Sequence, residues 1–221
     1  MPSDLTRKKL IVFDFDGTLV DSMPGIVAVA RSVMHDHGWS DEELGDMTRL
    51  VGPPFPQAFT AVYGISETEA EQITAEYRSV YASLGRDGWP LFDGMGELLR
   101  DLKAAGRLLG TASSKREFLL ERGLTTNGIR DLFDYPMAKK SDHGDSKEAA
   151  LGRVLAAAGV EPADAVMVGD RRFDAEAASM CGVECVGVLF GHTAPRSELE
   201  DAGCVAVAET VDELRRVLLG N

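Results

Sequence analysis

Basic charge, cysteine and long apolar runs are all scarce in this chain, and each shortage removes a class of function. Lysine and arginine together number 23 against 36 aspartates and glutamates, a net charge of −13. With no basic surplus to displace counterions, no nucleic-acid partner and no membrane surface is expected, and an anionic substrate would have to be met by locally placed cations. The cysteines, Cys181, Cys185 and Cys204, are odd in number and lack metal-type spacing. They sit among small or apolar neighbours such as Gly182, Val186 and Val205, so buried free thiols are expected. No apolar run approaches the length of a membrane span, and the stretch near the N-terminus is broken by Asp14 too early for a signal sequence. The expectation is a cytoplasmic protein. Internal repeats and low-complexity segments are missing, and so is Gly-x-Gly-x-x-Gly, which argues against a dinucleotide-binding domain.

What remains is an ordinary globular composition, 44% hydrophobic and 27% charged over 221 residues, enough for one large or two small domains. The most informative stretch is Phe13-Asp14-Phe15-Asp16-Gly17-Thr18-Leu19, directly after Leu10-Ile11-Val12. An apolar run preceded by Arg7, Lys8 and Lys9 and ended by Gly17 predicts a short interior strand. Side chains two apart on a strand share a face, so Asp14 and Asp16 are expected to converge. Two carboxylates about 4 Å apart repel by about 4 kcal/mol at an effective dielectric of about 20, which calls for a cation, a shared proton or solvent. The plainer alternative is a turn bent at Asp16-Gly17 and capped by Asp14.

From residue 23 to residue 86 the chain reads as helices only. Pro24 opens the first, with Ile26, Val29, Ala30, Val33 and Met34 among its apolar positions, and His35-Asp36-His37 is an exposed helix end before Gly38. Ser40 with Glu43 and Ser66 with Glu69 match capping boxes, and Gly52-Pro53-Pro54 is a rigid loop between them. After Trp89-Pro90 strands alternate with helices. Strands are predicted at 108–112, 135–138, 165–168, 183–189 and 204–207, and helices at 95–105, 116–123, 147–158, 174–180 and 211–219. Asp145 and Thr210 are the predicted N-caps of the third and last of these helices. This alternation predicts an α/β fold with a doubly wound, mostly parallel, Rossmann-like sheet built from residues 1–22 and 87–221. Residues 23–86 form an inserted helical domain, expected as a lid over the C-terminal edge of the sheet, where open α/β folds bind ligands.

Three further polar signatures follow predicted strands. In Thr111-Ala112-Ser113-Ser114-Lys115 a strand gives way to a helix, offering hydroxyls and amides to an anion or simply capping the helix. Lys147 stands in a helical first turn, against the macrodipole, a placement that asks for an anionic partner; Lys139 and Lys140 compete for the same role. Val166-Met167-Val168-Gly169-Asp170 runs a buried strand into an acid, with Asp174 four residues on and able to face back. With Asp14 and Asp16 this gathers four carboxylates at one edge of the sheet, oxygen ligands of the kind magnesium takes.

Asp-x-Asp-Gly-Thr, a strand-end Ser, a Lys and Gly-Asp-x-x-x-Asp, in that order over essentially the whole chain, resemble the haloacid dehalogenase superfamily of phosphatases. The helical insertion resembles that superfamily's cap, and Leu50-Val51-Gly52-Pro53-Pro54 and Val186-Gly187-Val188-Leu189-Phe190-Gly191 resemble its phosphoglycolate-phosphatase-like branch. The resemblance implies a magnesium-dependent phosphatase of a small phosphorylated metabolite: phosphoglycolate-like, a nucleotide or a sugar phosphate. It implies Asp14 as nucleophile and Asp16 as general acid and base, with Mg2+ held by Asp14, the main-chain carbonyl of Asp16, Asp170 and Asp174. It further implies that Ser113, Lys147 and backbone amides near Gly17 and Ser114 hold the phosphate oxygens. Arg49, Gly52 and Gln57 of the cap are the candidates for substrate choice. Two positions depart from the pattern: Lys147 precedes Glu148-Ala149-Ala150 rather than sitting in Lys-Pro-x-Pro, and Arg171 replaces the frequent Ser or Thr after Gly-Asp. A phosphomutase shares the two aspartates and the cap. A receiver-like phosphoacceptor switch shares the Asp, Ser and Lys but lacks Asp16 and the insertion, and a dehalogenase does not call for Asp16.

Overall fold

β1 (Leu10–Phe13) forms where its apolar run predicts, with all four residues fully buried. The computed structural model describes residues 4–141 and 144–220. Within them the chain divides into two compact units, one of residues 22–90 and one of the segments on either side.

The sheet unit holds β1 and then α5 (Met95–Ala104), β2 (Leu108–Arg116), α6 (Glu117–Thr126), β3 (Tyr135–Lys139), α7 (Lys147–Ala158) and β4 (Ala165–Gly169). It continues through α8 (Arg172–Met180), β5 (Glu184–Val188), α9 (Arg196–Asp201), β6 (Ala206–Ala208) and α10 (Val211–Leu219). All six strands are parallel, in the order β3-β2-β1-β4-β5-β6. The chain therefore winds outward from β1 in one direction to β3 and in the other from β4 to β6. With right-handed crossovers this reversal puts helices on both faces. On one face Leu10, Val12, Ala112 and Met167 of the strands pack with Ala150, Leu151 and Val154 of α7 and Ala175 and Ala178 of α8.

The helical unit contains α1 (Met23–Asp36), α2 (Asp41–Leu44), α3 (Gln57–Tyr63) and α4 (Glu67–Ser83), with no strand among its described residues. Ser40 and Glu43 make the predicted capping box, and Ser66 caps α4 by accepting from the Glu69 N–H. The unit's interior is a chain of rings running from Phe59 through Phe55, Tyr77 and Tyr81 to Trp89, with successive centroids 4.7 to 5.1 Å apart.

Several local expectations need correction. β2 continues to Arg116, so Ser113 and Ser114 are strand residues and α6 starts only at Glu117. The N-cap of α7 is Ser146, whose hydroxyl accepts from the Ala149 N–H, not Asp145. α9 has no counterpart among the predicted helices. The thiols are all free, yet only Cys185 is buried; Cys181 and Cys204 are half-exposed. No helix among the described residues is long and apolar enough to cross a membrane.

Candidate active site

β1 and β4 are neighbours from which the chain winds in opposite directions, and the crevice beyond the C-terminal ends of such strands is where open α/β sheets take ligands. Asp14 follows β1 and Asp170 follows β4, and the Asp14 N–H donates to the Val168 carbonyl at 2.9 Å, holding the two strand ends together. Lys147 opens α7, and Asp174 lies in the first turn of α8.

These four side chains are buried together. Lys147 Nζ donates to Asp14 Oδ2 at 2.8 Å and to Asp174 Oδ1 at 2.6 Å. The lysine expected to need an anionic partner thus has two. Asp174 Oδ2 accepts from the Arg171 N–H at 3.0 Å, so both oxygens of that carboxylate are engaged. Asp170 Oδ1 accepts from the Thr18 hydroxyl at 3.2 Å. Asp14 Oδ1, by contrast, is buried without a hydrogen-bond partner. Gly17 lets the loop pass this close: its φ is +75°, and a Cβ there would overlap Oδ2 of Asp170.

Crowding of acids in a dry site sets their protonation. Burial pushes the Asp14 carboxyl up to about 6, with Asp174 and Asp16 adding to the rise and Lys147 opposing it. Burial likewise pushes Asp170 up to about 8, helped by the charges of Asp174 and Asp14. For Lys147 burial alone would lower the pKa, but the two carboxylates outweigh it and hold the ammonium above the ordinary lysine range.

Carboxylate oxygens of Asp14, Asp170 and Asp174 all lie within 4.8 Å of one another. An all-oxygen donor set with one buried oxygen unclaimed fits a hard divalent cation. The Asp16 carboxylate is not among them. Period-two alternation stops with β1 at Phe13, and a turn follows in which Leu19 and Val20 donate to the Phe15 carbonyl. The two side chains have different partners: Asp14 pairs with Lys147, and Asp16 accepts from Lys115 Nζ at 2.8 and 2.9 Å. If Asp16 joins a cation's shell, it is by its main-chain carbonyl.

Ser113 is buried on β2, and its hydroxyl accepts from the Lys115 N–H at 3.2 Å; Ser114 is half-buried beside it. Among the amides near Gly17, that of Gly17 itself closes the turn onto the Val20 carbonyl at 3.0 Å. Of the competing lysines, Lys139 is buried at the end of β3 and Lys140 is exposed, with Asp145 accepting from the Lys140 N–H at 2.7 Å. Hydrogen bonds from Arg153 and from backbone amides hold that Asp145 carboxyl down at about 2. Arg49, Gly52 and Gln57 are exposed residues of the helical unit, Gly52 with φ of +112°.

Lys115, Thr18 and Thr193 had no role assigned from sequence. Thr193 donates to the Asp170 carbonyl at 3.4 Å. Thr18 was signalled only by its place in Asp-Gly-Thr and Lys115 only by its place after the two serines, and neither position has a periodicity to mark it.

Residues 11–188 match the family model described as haloacid dehalogenase-like hydrolase. The chain is 38% identical over 214 residues to the tyrosine-protein kinase PtkA of Mycobacterium tuberculosis, covering 95% of this chain and 72% of that protein. It is 34% identical over 184 residues to a phosphoglycolate phosphatase of Synechococcus elongatus, covering 82% and 84% respectively. Among solved structures, a predicted phosphatase from Clostridium acetobutylicum superposes with a TM-score of 0.89 at 28% identity, covering 97% of this chain and 99% of that one.

Proposed function

The chain belongs to the haloacid dehalogenase-like hydrolases and is a phosphatase, and from that premise we propose that it hydrolyses a small phosphorylated metabolite with magnesium bound, through an aspartyl-phosphate. The observation that carries the reading is Asp14, which offers one buried, unpartnered oxygen while Lys147 holds the other.

In this reading an Asp14 oxygen bonds to phosphorus as the bond from phosphorus to the ester oxygen breaks, and Asp16 gives its proton to the departing alkoxide. Asp16, now a carboxylate, takes a proton from water as the water oxygen bonds to phosphorus. The bond between phosphorus and Asp14 then breaks, releasing phosphate and restoring both aspartates. Asp14, Asp170 and the Asp16 carbonyl would hold the magnesium, whose charge offsets that of the phosphate. Asp174 fixes Lys147, and Lys147 with the Ser113 hydroxyl and the Ser114 amide would bind the equatorial oxygens. Choice among esters is assigned to Arg49 and Gly52.

The test is phosphate release from a panel of phosphoglycolate, sugar phosphates, nucleotides and pyrophosphate, with and without magnesium. Turnover of one class is expected only with the metal, and Asp14→Asn should lower it by at least about 10³-fold. Activity surviving that substitution would sink the reading.

The identity with a relative named a tyrosine-protein kinase supports a second reading, in which the aspartyl-phosphate passes its phosphoryl group to a hydroxyl other than water. A phosphomutase is the sugar-phosphate form of the same idea. Phosphotyrosine or an isomerised sugar phosphate, in place of free phosphate, would favour it.

A further inference from the structure

We infer that Lys115 positions Asp16 for its proton transfers, an inference that rests on the phosphatase reading above. Lys115 is fixed at three points. At its backbone, the register between β2 and β3 jumps from the pair Ser113 and Ala138 to the pair Arg116 and Lys139, so Ser114 and Lys115 lie in a bulge of that ladder. A bulge re-aims the side chains it carries. The Ser113 hydroxyl accepts from the Lys115 N–H at 3.2 Å, which fixes this bulge. The ammonium lies 5.4 Å from the ring centroid of Phe15, a fully buried side chain. Its charged end donates to both Asp16 oxygens, at 2.8 and 2.9 Å.

The Lys115 side chain is only 6% exposed, so this is a built contact rather than a chance surface pair. Asp16 lies in a loop beyond the end of β1 and needs an external anchor to keep one rotamer. A group that donates and recovers protons must stay within hydrogen-bond reach of the leaving oxygen, and a small displacement costs much of its effect. Lys115 supplies the anchor from the neighbouring strand, and Ser113 serves twice, once toward the phosphate and once toward the backbone that aims the lysine.

The test compares the single-turnover rate of leaving-group release, which precedes attack by water, in Lys115→Met and wild type on two substrates at saturating magnesium: 4-nitrophenyl phosphate, whose leaving group departs without a proton, and phosphoglycolate or whichever alkyl phosphate the panel identifies. Loss of Asp16 positioning should lower this first-step rate for the alkyl ester by about tenfold or more while leaving that of the aryl ester within about threefold and both KM values little changed; hydrolysis of the aspartyl-phosphate, which also uses Asp16, is common to both esters and lies outside this comparison. Lys115→Arg, which keeps the charge, should recover part of the alkyl turnover. Because both substrates meet the same enzyme sample, partial misfolding lowers both alike and cannot produce the ratio. Equal loss on both esters, or a change confined to KM, overturns the inference. Asp16→Asn is the control: if it shows the leaving-group dependence and Lys115→Met does not, only the role of Lys115 falls. If Asp16→Asn lacks it as well, the acid–base role of Asp16 falls and this inference with it.

Discussion

The two units of this protein both bury apolar side chains, but among the described residues only the sheet unit encloses a cluster of charges as well. In the helical unit the interior is a row of rings, with Tyr81 and Trp89 fully buried, and polar contacts such as the Arg31–Asp41 ion pair and the His37–Glu76 hydrogen bond lie on the surface. In the sheet unit three acids and a lysine are enclosed at the strand ends, with Asp174 wholly inaccessible. A buried charge is costly unless paired and hydrogen-bonded, and perturbed acids gathered in a crevice are the physical mark of a working site. The helical unit follows the ordinary rule for a stable core. The strand ends depart from it in one place, and that place holds the residues expected to handle phosphate.

The contrast is broken most severely by removing the shared cation. Lys147→Met leaves Asp14 and Asp174 without their counter-charge, and should cost about 3–5 kcal/mol in urea denaturation at neutral pH as well as abolishing turnover. A loss below 1 kcal/mol would mean that the buried pairs are not structural. Next comes Gly169→Ala. A Cβ at Gly169 would overlap the Asp174 carboxyl, and since β4 is paired on both sides the strand has little room to yield. A loss of about 1–3 kcal/mol is expected in the same denaturation experiment.

The units also separate by pH. The Asp170 carboxyl titrates near its ordinary value of 3.8 when unfolded and at about 8 when folded, so between those values the folded state holds more protons. In chelator-treated protein, stability should therefore fall as pH rises from about 4 to about 8, and Asp170→Asn should flatten that slope. An unchanged slope in the variant would show that Asp170 is not the group responsible. The smallest effect belongs to the helical surface: Arg31→Ala, which removes an exposed pair with Asp41, should leave the melting temperature within experimental error. A drop comparable to that of Lys147→Met would erase the distinction between the units.

Much of this was legible in the chain before folding, for identifiable reasons. Leu10–Phe13 shows itself because a buried strand needs consecutive apolar residues, and Asp14 shows itself by ending that run. Lys147 stands out because a cation in a helical first turn is unfavourable without an anion, and two anions are there. The polar end of β2 reads as a helix start because Ser113, Ser114 and Lys115 lack the apolar signal of a strand, and the pairing of Ser113 and Arg116 with β3, on either side of the bulge, carries the strand on. The ion pair between Lys115 and Asp16 spans 99 positions, a distance over which periodicity says nothing. Asp14 and Asp16 take different lysine partners because strand alternation stops at Phe13, which the run of residues does not mark. α9, six residues after Pro195, is too short to show a face.

The proposed chemistry places the phosphoryl group on Asp14. Acid quenching during turnover of the best panel substrate, followed by peptide mass spectrometry, tests it most directly. A phosphoryl group on Asp14 in the wild-type chain, and none in Asp14→Asn, is the predicted result. Phosphate released at full rate, with the peptide unmodified at every quench time and turnover retained in Asp14→Asn, would contradict it.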